Sequence, residues 1–224
     1  SKNGFTYTTM FFLGTTTGTY IKNIEFKRFK FDGFVGHTVR AKFTDFLKLK
    51  YLSFTNGANE SMFIGASRYT DVNGVSVDGS GVHGMSFDSL DNGVDVKCEH
   101  WTVRNSTFKN CKWMAIDGHS ADGTVGRVKD NTIINCSQFT KNQGGKAIVT
   151  GNHFSQTADF VSQTDSSEVD ICYFNKNDLE FIDNTVILNG NRVNIKYLLR
   201  LYNQRSDLTC YDVFRAKIKD NTFV

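Results

Sequence analysis

The chain has 224 residues, of which 22% are charged and 39% hydrophobic, a composition that supports folding and excludes a disordered protein. The formal net charge is only +3, and the densest cationic stretch, Lys22 to Lys30, alternates with apolar residues. We therefore expect no nucleic-acid partner. No apolar run approaches the roughly 18 residues that a membrane-spanning helix needs, so we expect no membrane insertion either.

The composition favours strands joined by tight turns. Proline is absent, phenylalanine is abundant at 20 residues, and asparagine, glycine and threonine are frequent. The chain has five cysteines, an odd number, and no two of them form a CxxC pair. This argues against a zinc ribbon or a disulfide framework. We expect most of them to be buried free thiols.

A six-residue pattern recurs from residue 21 onward. Its first position is usually aliphatic, its fourth is often Asn, its sixth is apolar, and the other three positions vary. It reads IKNIEF from Ile21, LKYLSF from Leu49, VNGVSV from Val72, VRNSTF from Val103, VKDNTI from Val128, VTGNHF from Val149, FIDNTV from Phe181 and IKDNTF from Ile218. The intervals between successive fourth positions range from 21 to 37 residues. Such uneven spacing argues against helical repeats and indicates a β-solenoid, in which turn loops vary while strands are kept.

Asparagine occupies the fourth position in four of these repeats. The residues are Asn131, Asn152, Asn184 and Asn221. In a coiled chain they would stack, because a buried amide needs partners that an amide in the next coil can supply. The same alignment makes Cys111 and Cys136 neighbours in adjacent coils, either as free thiols or as a disulfide.

This repeat resembles that of the pectate-lyase-like superfamily, which includes pectate lyases, polygalacturonases, alginate epimerases and bacteriophage tailspikes. The resemblance implies an all-β fold, a right-handed single-stranded parallel β-helix of about seven coils. We expect one domain over residues 1–224, with a less regular segment at 1–20 and repeats at 21–224. No capping helix is visible, so we expect a fragment of a longer chain, or a region whose ends other domains or subunits cover.

Two coils carry the candidate catalytic carboxylates. Aligning Met85 with Met114 places Asp88 and Asp117 on the outer face, about one strand spacing, near 5 Å, apart. Like charges at that distance raise one pKa, which suits an acid paired with a base. The alternative is that both carboxylates are plain solvent-facing or turn residues.

Between these coils, Leu90-Asp91-Asn92-Gly93-Val94-Asp95-Val96-Lys97 is similar to the acidic "NTDGID"-type segment of polygalacturonases. The paired Asp-Asp of that family is absent, so its mechanism is not implied. The resemblance suggests only that Asp91, Asp95, Asp117 and His119 lie near a sugar-facing surface. We expect Asp95 and His119 to be catalytic together with Asp88 and Asp117, and Asp91 and Lys97 to bind substrate. Alternatively, Asp91 and Asp95 bond their own backbone in turns, and His119 is a turn residue.

The alternation of inward and outward residues also assigns the two tryptophans. Trp113 should point outward, either as a stacking platform for a sugar ring or as the cover of a loop or subunit contact. Trp101 should lie in the core. We expect no metal site and no cofactor.

Taken with the resemblance, these features predict a phage tailspike or tail-fibre β-helix that binds and degrades a bacterial surface polysaccharide, by hydrolysis or by elimination. Such spikes are homotrimers of the virion, assembled in the reducing host cytoplasm, which fits free cysteines. One alternative is a secreted, free-standing polysaccharide lyase or hydrolase. A second is a glycan-binding or structural β-helix without catalysis.

Overall fold

The chain is a stack of short parallel strands. The computed structural model of the protein describes residues 9–15, 18–88, 98–121, 123–156, 169–175, 178–189, 195–202 and 215–224. These ranges contain 26 strands and no helix. None of the described residues therefore forms a helix that could cross a membrane.

The strands follow one another in eight coils. The first four coils contain β1 (Thr9–Gly14), β2 (Ile21–Lys22), β3 (Glu25–Lys27), β4 (Lys30–Asp32), β5 (His37–Lys42), β6 (Thr44–Asp45), β7 (Lys48–Lys50), β8 (Ser53–Gly57), β9 (Met62–Gly65), β10 (Arg68–Asn73), β11 (Ser76–Ser80), β12 (Met85–Asp88), β13 (Glu99–Arg104) and β14 (Thr107–Lys109). The last four contain β15 (Met114–His119), β16 (Val125–Lys129), β17 (Thr132–Ile134), β18 (Gln138–Gln143), β19 (Lys146–Thr150), β20 (His153–Gln156), β21 (Val169–Asn175), β22 (Asp178–Ile182), β23 (Thr185–Leu188), β24 (Ile195–Tyr202), β25 (Ala216–Lys219) and β26 (Thr222–Phe223).

Each coil contributes to three parallel sheets. Sheet A runs β1-β5-β9-β12-β15-β18-β21-β24, and sheet B runs β2-β6-β10-β13-β16-β19-β22-β25 with β3 and β7 beside it. Sheet C runs β4-β8-β11-β14-β17-β20-β23-β26. The predicted all-β parallel β-helix is confirmed. It has one coil more than the seven predicted, because β1 lies in the segment expected to be less regular and already pairs with β5.

Alternation of side chains builds the core. In β17, Ile133 is fully buried between the half-buried Thr132 and Ile134. Ile133 pairs with Phe108 in the coil before and with Phe154 in the coil after, and both rings are buried. Large side chains therefore stack on one another along the helix interior, which removes a continuous apolar column from water.

The predicted asparagine ladder is confirmed at the corner between sheets B and C. The side-chain Nδ2 of Asn131, Asn152 and Asn184 donates to the Oδ1 of the next ladder residue at 3.0, 2.9 and 3.0 Å. Ser106 continues the ladder toward the N-terminus, since its backbone N–H donates to Oδ1 of Asn131 at 3.0 Å. The residue before each ladder Asn has a positive φ, as at Asp130 (53°), a left-handed turn that aspartate tolerates better than most residues.

The described cysteines, Cys98, Cys111, Cys136 and Cys172, are buried and free. Cys111 and Cys136 are neighbours in adjacent coils as predicted, and they form the free-thiol alternative. A side-chain hydrogen bond with Cys136, together with burial, raises the pKa of Cys111 well above its ordinary value. Cys210 lies outside the described residues.

Trp101 lies in the core, as predicted, and fills it at sheets A and B. Its ring is fully buried, stacks on Phe87 with centroids 4.3 Å apart, and donates from Nε1 to Oγ of Ser120 at 2.9 Å. A Cβ atom added at Gly118 would lie 2.5 Å from this indole, and one at Gly126 would lie 2.4 Å from it. The two glycines are therefore required by the size of the indole.

Replacing Gly118 by Ala should lower the free energy of unfolding by about 1–3 kcal/mol, because the indole cannot move without disturbing its neighbours. The matched control is Gly57→Ala, where the nearest atom to the new Cβ is 3.7 Å away. Urea denaturation of both variants measures the difference. An unchanged midpoint for Gly118→Ala would contradict this packing.

Candidate functional site

The register between β12 and β15 differs from the predicted one. Met85 pairs with Ile116, Ser86 with Asp117 and Phe87 with Gly118. The alignment of Met85 with Met114 is therefore wrong by two residues, and Asp88 is not opposite Asp117. The physical reason is packing: a glycine must lie opposite Phe87, because the indole of Trp101 occupies the space beside both.

His119 lies between the two aspartates that were predicted to form a pair. Its Nδ1 is 4.0 Å from Oδ1 of Asp88, and its Nε2 is 3.5 Å from Oδ1 of Asp117. The structure thus brings Asp88, Asp117 and His119 together on the outer face of sheet A. The side chain of Asp88 is 38% exposed and that of Asp117 only 9%, so Asp117 is the inner member of the group.

Asp117 is surrounded by cationic and polar groups from three coils. Besides His119, Lys141 Nζ lies 3.3 Å from its Oδ1, and His83 Nε2 lies 3.8 Å from its Oδ2. Burial alone would raise the pKa of Asp117, but the contact with His119 and the charge of Lys141 outweigh it and hold the pKa below its ordinary value. Asp117 is therefore a carboxylate at neutral pH, although it is almost buried.

From the part of the chain that the structure describes, the Oδ1 atom of Asp117 accepts none of the hydrogen bonds that a carboxylate oxygen can accept. It is buried and, among the described residues, accepts no hydrogen bond, since Lys141 and His119 approach it without hydrogen-bond geometry. A buried carboxylate oxygen normally has such a partner. The ammonium group of Lys141 and the imidazole of His119 are the nearest charged or polar partners that the described residues give this atom.

Glu60 supplies a second carboxylate that the sequence reasoning missed. It accepts a hydrogen bond from Oγ of Ser86 at 3.1 Å and lies 3.2 Å from Nδ1 of His37. His83 Nε2 lies 3.8 Å from an oxygen of Glu60 and at the same distance from an oxygen of Asp117. Those two oxygens are therefore no more than twice 3.8 Å apart.

A spacing signal in the sequence could have found Glu60. His37, Glu60 and His83 each stand two residues before a buried position of sheet A, and those positions, Val39, Met62 and Met85, pair with one another. The three side chains thus occupy equivalent places in three consecutive coils. No local motif marks Glu60, so only its interval from the two histidines predicts its position.

His83 is a neutral imidazole between the two carboxylates. Burial lowers its pKa by more than Asp117 and Glu60 raise it. The ring also stacks on Trp113, with centroids 5.3 Å apart and planes 29° apart. Trp113 is 46% exposed, so the prediction that it points outward is confirmed. Its indole forms an apolar rim beside His83 and the carboxylates that His83 contacts.

Carboxyl and imidazole side chains, the groups suited to acid–base chemistry, lie together here. We call this set the acidic cluster and define it as Glu60, His83, Asp88, Asp117, His119 and Lys141. The predicted site residues Asp91, Asp95 and Lys97 lie outside the described residues. Within the part of the chain that is described, no group of His, Cys, Asp and Glu is arranged to hold a metal ion.

Carboxyl spacing is the geometric test for cleavage of a glycosidic bond. Retaining enzymes place two carboxyl groups about 5–5.5 Å apart, and inverting enzymes about 6.5–9.5 Å apart. The upper limit set by His83 for Glu60 and Asp117 includes the retaining range and the lower part of the inverting range. The arrangement therefore holds one ionised carboxylate and a second carboxyl group within the distance limit of a sugar-cleaving pair.

Comparison with solved structures identifies the architecture. The chain is similar to two structures of PfbA, a surface adhesin of Streptococcus pneumoniae, at TM-scores of 0.61 and 0.62 and sequence identities of 14% and 11%. The matches cover 84% and 96% of this chain. The chain spans half of the first structure and 79% of the second, and at these identities the likeness shows the fold alone. No family model and no curated protein matches the sequence.

Proposed function

We propose that this β-helix binds a bacterial surface polysaccharide across the outer face of sheet A and cleaves it at the acidic cluster. One observation carries the proposal: Glu60 and Asp117, from different coils, each place a carboxylate oxygen 3.8 Å from Nε2 of His83, so the two oxygens are no more than twice that distance apart, a limit that allows the spacing of a sugar-cleaving pair. Trp113 beside them offers an apolar ring of the kind on which sugars stack.

Asp117 takes the role of the ionised group in this proposal. Its low pKa keeps it charged at neutral pH, as a general base or a nucleophile must be. Glu60 is the proton donor in this proposal, because it is the other carboxyl group that approaches Nε2 of His83 to 3.8 Å. His119 and Lys141 hold Asp117 in place and keep it charged.

The biological setting that we propose is a bacteriophage tailspike or tail fibre, a homotrimer of the virion assembled in the host cytoplasm. The free buried cysteines support assembly in a reducing compartment. The alternative is a secreted, monomeric polysaccharide lyase or hydrolase. Light scattering of the full-length protein distinguishes the two, since a strict monomer argues against a tailspike.

A second candidate function is binding without cleavage, and the likeness to a streptococcal surface adhesin favours it. The two candidates differ in their products. A depolymerase releases oligosaccharides from capsule or lipopolysaccharide, with new reducing ends from hydrolysis or an ultraviolet-absorbing unsaturated sugar from elimination. An adhesin retains the polymer and releases neither product under any condition.

Replacing Trp113 by Ala should weaken polysaccharide binding by about tenfold, the loss of one aromatic stacking contact. Affinity electrophoresis in gels containing capsular polysaccharide or lipopolysaccharide measures the effect. Tyr51→Asn is the control, because Tyr51 is also exposed (56%) but belongs to no part of the acidic cluster. Equal affinity of Trp113→Ala and the wild type would place the glycan elsewhere.

A further inference from the structure

A second surface, on sheet B, has the features of a ligand site. A groove of about 450 Å³ is lined by Tyr69, Thr70, Asp71, His100, Thr102, Arg104 and Arg127. Its strands β10, β13 and β16 are adjacent in sheet B, whereas the acidic cluster lies on sheet A. The volume is within the range of about 300–1,000 Å³ that small-ligand sites occupy, but the groove is shallow and open to solvent, so a ligand would lie along the surface of the sheet.

Stacked aromatic rings form one wall of this groove. Tyr69 lies between Phe46 and His100, with ring centroids 5.0 and 5.2 Å away and planes within 16°. Phe46 and Tyr69 are 46% and 47% exposed. Three successive coils therefore place an aromatic ring on the surface, where its apolar area is not removed from water by the fold.

The backbone at these rings is strained. Phe46, Tyr69 and His100 have φ angles of 58°, 53° and 43°, in the left-handed region that bulky side chains rarely adopt. Asparagine or glycine would occupy these positions at lower cost. Left-handed corners recur in other coils, as at Arg28 and Tyr51, so the feature that distinguishes this surface is the aromatic ring at each of the three positions.

The polar wall of the groove has one uncompensated cation. Arg104 binds Asp71 in a bidentate ion pair, with Nε–Oδ1 and Nη2–Oδ2 distances of 2.9 and 3.1 Å, so these charges cancel. Arg127 is half-buried and pairs in register with Thr102. Its guanidinium has no ion-pair or hydrogen-bond partner among the residues that the structure describes. A guanidinium in this position matches a carboxylate or sulfate group of a ligand.

We propose that the groove on sheet B is a separate binding site for an acidic saccharide, whose anionic group pairs with Arg127 and whose ring and hydroxyl groups contact Tyr69, His100 and Thr102. One free arginine is too low a charge density for nucleic acid, which is held through many phosphate contacts. Hydroxyl and imidazole groups beside apolar ring edges suit a sugar better. The proposal is independent of cleavage at sheet A.

The test uses the full chain carrying Asp117→Asn, so that sheet A does not consume the probe. Oligogalacturonate, hyaluronan, chondroitin sulfate and polysialic acid, each with a neutral oligosaccharide as reference, are titrated by calorimetry. Arg127→Ala should weaken binding of at least one acidic saccharide by about tenfold to hundredfold, the loss of a charge-assisted hydrogen bond. Tyr69→Asn, which removes the ring but tolerates the left-handed backbone, should weaken it as well.

Lys217→Ala is the matched control, a cation in the same row of sheet B three strands from Arg127, and it should leave affinity unchanged. Three outcomes overturn the proposal: no acidic saccharide binds, Arg127→Ala binds as tightly as the parent, or single-stranded DNA binds more tightly with the same dependence on Arg127. Comparison with the chain that retains Asp117 shows separately whether sheet A cleaves, so either proposal can fail alone.

Discussion

Replacing Asp117 by Asn should slow polysaccharide cleavage by about 10²- to 10⁴-fold, the usual contribution of a positioned acid–base group. The amide keeps the size of the side chain but cannot carry the negative charge that His119 and Lys141 stabilise. Binding should persist, because the rim formed by Trp113 is unchanged. Reducing-end assays give kcat and KM, and the loss should appear in kcat.

The control for this substitution is Asp130→Asn. Asp130 is an exposed turn residue with a φ of 53°, and the chain itself carries Asn105 at the equivalent corner of the preceding coil, with a φ of 48°. Circular dichroism of both variants tests whether folding is intact. Full activity of a folded Asp117→Asn protein would remove Asp117 from the proposed mechanism.

Replacing Asp117 by Asn should also change how the free energy of unfolding depends on acidic pH. The pKa of Asp117 is lower in the folded chain than its ordinary value of 3.8. Its charge therefore stabilises the fold above that value, and this contribution is lost as the pH falls through the folded pKa. The Asp117→Asn variant should lose less stability than the wild type as the pH falls below about 4.

Replacing Asn152 by Ala should lower the free energy of unfolding by about 3–5 kcal/mol, because several buried groups lose their partners at about 1–3 kcal/mol each. Asn152 is 2% exposed. Its Oδ1 accepts from the backbone N–H and the Nδ2 of Asn131, both at 3.0 Å, and its Nδ2 donates to Val128 O and Asn184 Oδ1, both at 2.9 Å. Alanine leaves these groups unpaired inside the corner.

The control is Asn221→Ala in the last coil. Asn221 donates to Phe181 O at 2.8 Å and accepts from the backbone N–H and the Nδ2 of Asn184 at 2.8 and 3.0 Å, but it is half-buried and water can reach it. Its loss should cost about 1–3 kcal/mol, less than the loss of Asn152, because water can replace part of these partners. Equal denaturation midpoints for the two variants would show that the ladder does not derive its strength from burial.

The fold and the ladder could be predicted because their signals are local and repeated. The alternation around Ile133 and the asparagines at matching positions appear in several coils, so each occurrence supports the others. The similarity of Met85 to Met114 was a single match, and it gave the wrong register. The register depends on the volume of Trp101 against Gly118, a contact between residues of different strands that no pattern in one strand reveals.

The candidate site was predicted only in part, because its residues come from several coils. Asp88, Asp117, His119 and Trp113 lie in two coils whose sequences can be compared directly, and the structure brings them together. Glu60 lies one coil earlier, in a turn without a motif, and its role depends on the position of His83 in space. Charged partners from different coils are defined by the stacking register, which is where the sequence reasoning failed.

The coil-by-coil construction has a consequence for how the protein withstands damage. Each coil pairs only with the coil before and the coil after it, so a disturbance in one coil passes to a distant coil one layer at a time. The acidic cluster draws on the third to sixth of the eight coils. Damage to another coil therefore reaches Glu60 and Asp117 only through the coils that lie between.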